Sequence, residues 1–377
     1  MIDKINVFLN INENRNKVGE LACVNKKIYF QFDNECLKKG VNISPISLPF
    51  NIQIQSNGNN LFGVFDDSLP DGWGRLLIDR YCKKNKILDV NKLDYLSFVG
   101  KNGFGALEYE PYNDLERNYN FENLNLDQLA SESMQILNDT TYFADELLKL
   151  NGSSGGARPK ITVKLNNKNV ISQAGEDYII KFRTSTDDKN IGLKEYVYSV
   201  IAKKSGIDMS KTILLPSKKC SGYFATKRFD RIDNKKLHLH SAAGLLNMDF
   251  RTSFIDYVDL LKLTKILTKS DDEVLKMFRL MCFNVITNNK DDHAKNFSFI
   301  MDNKNQWKLS PAYDLTYSNG INGEHTTTVN GKGKDIKDID LINFGKMFDI
   351  DQGNSRNIIQ LIRDNFNEFR DNNFQIK

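Results

Sequence analysis

Within the run ITNNKDDHAKNFSFI, residues 286–300, two aspartates, a histidine, a lysine and an asparagine crowd into the six positions from Asp291 to Asn296. Asp291 and Asn296 stand five positions apart. That separation is found between the hydroxyl-orienting aspartate and the metal-binding asparagine of phosphoryl-transfer loops. Such chemistry needs a second acid that grips the metal from another stretch. Asp314, in WKLSPAYDLTYS, lies eighteen residues beyond Asn296. Between them come a strand-like NFSFI, a turn at MDNKNQ and a second strand WKL, a hairpin of the length that returns Asp314 to the loop's side. Nucleotide phosphates also demand a fixed positive charge, which Lys181 in the β-branched run YIIKF is placed to supply, with Glu195 on the following helix as its pairing partner. Singly, each of these residues reads as a turn residue or a surface charge. Their order and separations carry the chemistry.

Other motifs add less. GSSGGARPK (152–160) looks like a phosphate-cradling loop but lacks the GK[ST] ending of a Walker P-loop. GKNGFG (100–105) is not GxGxxG and reads as a tight turn. His238 and His240 have no further His or Cys nearby, so a strand-edge role is expected and not a zinc site.

The elements that must position these groups can be read from periodicity. Alternating runs such as KINVFLNI and KIYFQF predict a β-rich module over residues 1–112, in which DDSLPDGWGRLLIDRY is a turn feeding a helix with Leu76, Leu77 and Tyr81 on one face and Trp73 as a packing anchor. Residues Asn125 to Leu150 carry apolar residues at helical spacing and stop at NGSSGG. ARPKITVKL and DYIIKF predict a hairpin, and Leu193, Tyr196, Val197, Val200 and Ile201 a helix closed by Gly206. Strands return at TILLP and YFATKRF. Ser270 with Glu273 forms a capping box opening a helix whose buried stripe is Val274, Phe278, Met281, Cys282 and Val285, and the opening run emerges from that helix's end. From residue 150 onward the order is loop, strands, helix, strands, then mostly helices, which is suggestive of a kinase.

The totals exclude several classes. With 377 residues, 40% hydrophobic and 27% charged, the chain is globular and long enough for two or three cores. A net charge of +4 is too slight to argue for nucleic acid. Five scattered cysteines without a CxxC pair suggest a reducing cytoplasm. The polar-interrupted N-terminus does not read as a signal peptide, and no run is apolar enough to span a membrane.

LFGVFDDSLPDGWGRLL and LSFVGKNGFGALEYEP, followed in order by GARPK, YIIKF, KRFDR, NNKDDHAKNFSF and SPAYDL, resemble the signature blocks of one family over nearly the whole chain. This family is the HipA-like serine/threonine kinase toxins of bacterial type II toxin-antitoxin modules. The resemblance implies an α+β, bilobal protein-kinase-like fold with an N-terminal β-rich module (1–112) and a kinase domain (113–377), its N-lobe about 113–235 and its mostly helical C-lobe about 236–377. It implies ATP and Mg²⁺ as cofactors, with Asp291 as the catalytic aspartate and Asn296 and Asp314 as metal ligands. His293 and Lys295 belong to the same loop, His293 as a structural member. Lys181, assisted by Lys160, would hold the nucleotide phosphates beside Gly155, Gly156 and Ala157. The backbone of Lys227 and Phe229 would meet adenine at a hinge fixed by Asp230 and Arg231. Ser153 stands where family members carry an autophosphorylated serine, with Ser154 as second choice. A phosphate there would repel those of ATP.

Three positions depart from the family pattern: Arg158 where glutamine is frequent, Lys290 where a small polar residue is common, and Lys227 at a variable hinge position. None removes a required chemical group. The implied partners are a small helix-turn-helix (HipB-like) antitoxin, operator DNA through it, and a protein substrate such as an aminoacyl-tRNA synthetase. Two alternatives stay open: a small-molecule kinase of the aminoglycoside or choline kinase type, and a catalytically silent antitoxin co-repressor scaffold.

Overall fold

The structure is a computed structural model that describes residues 1–113, 124–138, 144–151, 156–251 and 254–371. It is a mixed α and β protein, 38% helix and 23% strand. Two compact units emerge from the packing. One comprises Met1–Leu193, Thr212–His240 and Met301–Asn305, the other Lys194–Lys211, Ser241–Ile300 and Gln306–Lys377.

The first unit holds two five-stranded sheets. Strands β1 (Lys4–Ile11), β2 (Asn14–Val24), β3 (Lys27–Phe32), β4 (Gln55–Ser56) and β5 (Leu107–Glu110) assemble in the order β4-β3-β2-β1-β5. Alternation in β1 buries Ile5, Val7, Leu9 and Ile11 on one face. Four helices accompany this sheet: α1 (Asn34–Lys39), α2 (Gly63–Asp66), α3 (Gly72–Lys84) and α4 (Lys92–Val99). The expected β-rich module therefore carries a substantial helical component. Helix α3 starts where Asp71 accepts from the Gly72 N–H at 2.8 Å. Its buried face is Trp73, Leu77, Ile78 and Cys82, with Leu76 and Tyr81 packed at the margin.

Beyond α5 (Leu126–Leu137) and α6 (Ala144–Asn151), the second sheet runs β7-β6-β8-β10-β9. Its strands are β6 (Lys160–Leu165), β7 (Ile171–Ser172), β8 (Glu176–Lys181), β9 (Thr212–Leu215) and β10 (Tyr223–Lys227). Trp73, Leu77 and Ile78 share one core with Ile161, Val163, Ile180 and Phe182. Helix α3 packs on α6, and α6 on β6 of the second sheet. Two short strands, β11 (Arg231–Ile232) and β12 (Lys235–Lys236), pair as a ribbon, and β13 (His238–Ser241) follows.

The second unit is mostly helical. After α7 (Ile191–Lys204), closed by Gly206 at φ +75, come α8 (Ala242–Leu245), α9 (Tyr257–Thr268), α10 (Asp271–Thr287), α11 (Asp338–Lys346) and α12 (Gln352–Asp371). Helix α10 is the hub. Besides the expected Val274, Phe278, Met281 and Cys282 it buries Met277, Leu280 and Phe283, while Val285 is only half-buried. Only half of the expected capping box forms. Ser270 Oγ accepts from the Glu273 N–H at 3.4 Å, but the Glu273 carboxylate accepts from the Leu309 N–H at 2.7 Å and from Lys276. That acid holds strand β16 (Trp307–Leu309), which pairs with β15 (Ser298–Met301) as the expected hairpin. A short parallel pair joins β14 (Ile255–Asp256) to β17 (Thr327–Thr328).

His238 and His240 lie on the edge strand β13, and both are fully buried. His238 Nε2 lies 2.8 Å from the Ile43 carbonyl, and His240 bridges Ser44 Oγ at 2.9 Å and Asp67 at 2.7 Å. Ser44 is itself sealed from solvent, so this Ser-His-Asp arrangement has no access for a substrate and serves as a clasp.

Candidate active site

Helix α10 ends where Asn288 turns into the left-handed region at φ 54. The loop that follows is fastened at once. The Asn289 N–H donates to the Asn284 carbonyl, and the Ser318 N–H donates to the Asn288 carbonyl at 3.0 Å. Ala294–Asn296 form a single 3₁₀ turn, with the Asn296 N–H on the His293 carbonyl at 2.8 Å. The Asn296 Nδ2 donates to the Asp291 carbonyl at 2.7 Å. That bond fixes the carboxamide so that its Oδ1 remains a hard oxygen donor.

Asp314 is exposed and holds φ +53, a left-handed conformation that aspartate tolerates better than most residues. The chain on both sides of it is tied to the loop. The Tyr313 hydroxyl donates to the Lys295 carbonyl at 2.7 Å and lies 2.6 Å from Ser298 Oγ, while Ser318 forms an isolated bridge with Asn289. Asp291 is exposed as well. A carboxamide oxygen and an exposed carboxylate are the donor types that Mg²⁺ takes, so Asn296 and Asp314 fit that ion.

His293 and Lys295 face an aromatic neighbour. The His293 ring packs 4.8 Å from the Phe250 ring, and its Nδ1 is enclosed without a hydrogen-bond partner among the described residues. Lys295 Nζ and the Arg251 guanidinium lie 4.9 and 4.5 Å from the Phe250 ring centroid.

Sequence reasoning assigned nothing to Asp292, yet its carboxylate is buried and accepts from four groups. It is 1% exposed and accepts from the Tyr257 hydroxyl at 2.8 Å, the His325 ring at 3.0 Å, and the N–H groups of Thr326 and Thr327 at 2.9 and 3.2 Å. Of two adjacent acids, no spacing rule tells the exposed one from the buried one. The residues that distinguish them lie over thirty positions away in each direction.

In the first unit, Lys160 and Lys181 are direct cross-strand partners on β6 and β8. Trp73 reaches the same place: its N–H donates to the Gly156 carbonyl at 3.0 Å and its indole N–H to the Lys160 carbonyl at 3.1 Å. Gly72, at φ +35, sits so close that a Cβ there would fall 2.6 Å from Ala157 Cα. Gly156 has φ +88, and a Cβ on it would meet Lys160 Nζ at 2.7 Å. Arg158 is held by Asp187 at 3.2 Å. Ser153, Ser154 and Gly155 lie outside the described residues.

At the end of β10, Lys227 pairs with Glu176 and the Arg228 N–H donates to the Asp177 carbonyl at 2.8 Å. Phe229 begins a turn that leads into a buried charge cluster. Asp230 receives Arg228 and Arg231, each at 2.7 Å, and the Gly105 N–H at 2.8 Å. Both guanidiniums also donate to the Gly103 carbonyl, at 3.0 and 2.7 Å. Burial alone would raise the Asp230 carboxyl, but the two guanidiniums hold it down at about 2. Burial pulls Arg231 down to about 10, still charged near neutrality. GKNGFG is thus a docking loop for the KRFDR segment.

The family model for the HipA-like C-terminal domain matches residues 152–370, and that for the HipA N-terminal domain matches residues 9–110. This chain belongs to the HipA-like family. Its fold is that of HipA in the Shewanella oneidensis complex of HipA, HipB and operator DNA, at a TM-score of 0.70 and 17% identity over 96% of this chain and 89% of that one. The Helicobacter pylori proinflammatory kinase CtkA is a remote neighbour, at a TM-score of 0.38 and 16% identity over 56% of this chain and 90% of that one. Y4dM of Sinorhizobium fredii, which bears the name of a candidate kinase, is 28% identical over 170 residues. That match spans 41% of each chain.

In this HipA-like chain, hydrogen bonds to backbone carbonyls gather Asp291, His293, Lys295, Asn296 and the neighbours of Asp314 within the second unit. Gly156, Ala157, Lys160, Lys181, Lys227 and Phe229 lie in the first unit. Lys181 ends β8, and Glu195 is buried on α7. Among the described residues there is no group of three or more His, Cys, Asp and Glu side chains placed to hold a metal ion. None of the described helices is long and apolar enough to cross a membrane.

Proposed function

We propose that this HipA-like chain is an ATP- and Mg²⁺-dependent protein kinase that phosphorylates serine or threonine and acts as the toxin of a type II toxin-antitoxin pair. One observation carries the reading. Tyr313, just before Asp314, is bonded to the carbonyl of Lys295, just before Asn296, while Asn296 ties back to Asp291. Three oxygen-bearing side chains thereby leave from backbone positions fastened to one another. In the proposal Asp291 orients the attacking hydroxyl, and Asn296 and Asp314 hold the ion. When bound, the ion supplies charge neutralisation for the transferring phosphoryl group.

Lys160 and Lys181 support nucleotide binding. As direct cross-strand partners they set two ammonium-bearing side chains on one face of the sheet, where phosphate oxygens can accept from both. Gly156 and Ala157 offer backbone N–H groups to the phosphates, and the backbone of Lys227 and Phe229 meets adenine. His293 and Lys295 complete the catalytic loop. Ser153, or Ser154 as second choice, is the proposed site of self-phosphorylation. The proposal also includes a functional division near residue 112, a small helix-turn-helix antitoxin with operator DNA, a protein substrate such as an aminoacyl-tRNA synthetase, and a cytoplasmic location.

The test is to incubate the purified chain and its Asp291→Asn variant with γ-labelled ATP and Mg²⁺ and to map phosphosites by mass spectrometry. Label on a protein serine or threonine in the parent alone is the expected result. Label confined to a small metabolite, or equal labelling in the variant, overturns the reading.

A further inference from the structure

The buried acid next to Asp291 calls for a role, since a carboxylate removed from water is costly unless its surroundings repay it. Asp292 is paired with no arginine or lysine among the described residues; its partners are a phenol, an imidazole and two backbone N–H groups. Those partners come from two directions. Tyr257 opens α9, and its hydroxyl in turn accepts from Asn284 of α10, whose Oδ1 accepts from Asn289 at the mouth of the loop. His325, Thr326 and Thr327 belong to the stretch that follows Asp314 and ends on β17.

The same stretch clasps the loop's backbone. Thr327 Oγ1 donates to the Asp292 carbonyl, and the Thr326 N–H and hydroxyl both donate to the Lys290 carbonyl at 3.1 Å. The carbonyls on both sides of Asp291 are therefore occupied, and the carboxylate of the next residue anchors the group that occupies them. Asp256 fixes the far end of the clasp, accepting from Thr328 Oγ1 at 2.6 Å and the Gly331 N–H at 2.8 Å.

We propose that Asp292 is a positioning residue: through His325, Thr326, Thr327 and Tyr257 it sets the backbone that carries Asp291 and couples it to the segment downstream of Asp314. This rests on the kinase reading for its catalytic consequence but not for its structural one. Displacing a reacting group by about 1 Å costs on the order of 100-fold in rate. Replacing the anchor should therefore lower kcat while leaving the nucleotide's own contacts in place.

The experiment compares Asp292→Asn, His325→Gln and Tyr257→Phe with the parent, using Mg·ATP as the probe and circular dichroism to confirm folding. The milder Tyr257→Phe and His325→Gln changes carry the test if Asp292→Asn does not fold. The expected result is a kcat lowered by about 100-fold in Asp292→Asn and by about 10-fold in the other two, with KM for ATP within about twofold of the parent. Folded variants with parental kcat, or a loss confined to KM, overturn the inference. Hydrogen exchange gives a readout that does not need activity. In these variants the amides of residues 290–293 should exchange faster while those of α10 keep their protection. Unchanged loop exchange overturns the positioning role, whereas an inactive parent whose loop still loosens in the variants overturns only the kinase reading.

Discussion

The Tyr313 hydroxyl donates to the Lys295 carbonyl oxygen across 2.7 Å and is 2.6 Å from Ser298 Oγ. This phenol binds the strand leading to Asp314 to the turn that ends at Asn296. Tyr313→Phe removes both contacts while keeping the ring. The expected outcome is about a tenfold higher Mg²⁺ requirement and a stability loss of about 1 kcal/mol per lost bond, read from metal titration of the phosphoryl-transfer rate and from urea denaturation.

Asp230 is expected to be the most damaging single position in the first unit. Asp230→Asn leaves two buried guanidiniums without their charge partner and should cost about 3–5 kcal/mol in chemical denaturation. The carboxyl also predicts an acid limb. Its folded pKa of about 2 lies below the ordinary 3.8, so its stabilisation is fully present above pH 3.8 and is lost as pH falls toward 2. The amount is about 2 kcal/mol, and Asp230→Asn should flatten that limb.

Gly72 and Trp73 predict a link between the helix α3 and the loop proposed to face the nucleotide. In Gly72→Ala the new methyl meets Ala157 Cα and Gly156 O, at 2.6 and 2.7 Å, in a backbone conformation that alanine disfavours. Trp73→Phe strips the donor from the Lys160 carbonyl, at a cost of about 1–2 kcal/mol. Both variants should bind ATP more weakly by calorimetry, Gly72→Ala by about tenfold for a displacement near 1 Å.

His238 predicts a second pH dependence, of opposite chemical origin. Burial pushes its pKa from 6.5 down to about 4. Between those values the unfolded chain takes up a proton that the folded chain refuses. Stability is therefore full above pH 6.5 and falls by about 3 kcal/mol as pH drops to 4. Urea midpoints measured between pH 7 and 4 check this, and His238→Gln should remove most of the slope.

Much of the local architecture is legible in the sequence because its determinants are local. The hairpins KITVKL with EDYIIK and SFIM with WKL follow from short strand-like runs and the turn residues between them. The loop spacing of Asp291, Asn296 and Asp314 is legible because one helix end and one hairpin set it. The span Asn125 to Leu150 reads as helical and holds two helices, since Asn138 caps the first. Asp292 and Glu273 escape because their partners are distant in sequence: His325 is 33 residues away and Leu309 is 36. The same holds for Gly103 and Gly105, whose carbonyls are met by Arg228 and Arg231 some 125 residues later. Glycines advertise a turn but not the arginine that will dock on it.

The apolar face of α3 has a consequence for biosynthesis. Ile180, in the same apolar cluster, leaves the ribosome about 100 residues after Ile78, roughly 5–20 s at ordinary elongation rates. Throughout that interval Trp73, Leu77 and Ile78 lack part of the cluster that buries them. The nascent polypeptide is therefore most exposed to misassociation, and most dependent on holding chaperones, between the emergence of its first signature block and the completion of β8.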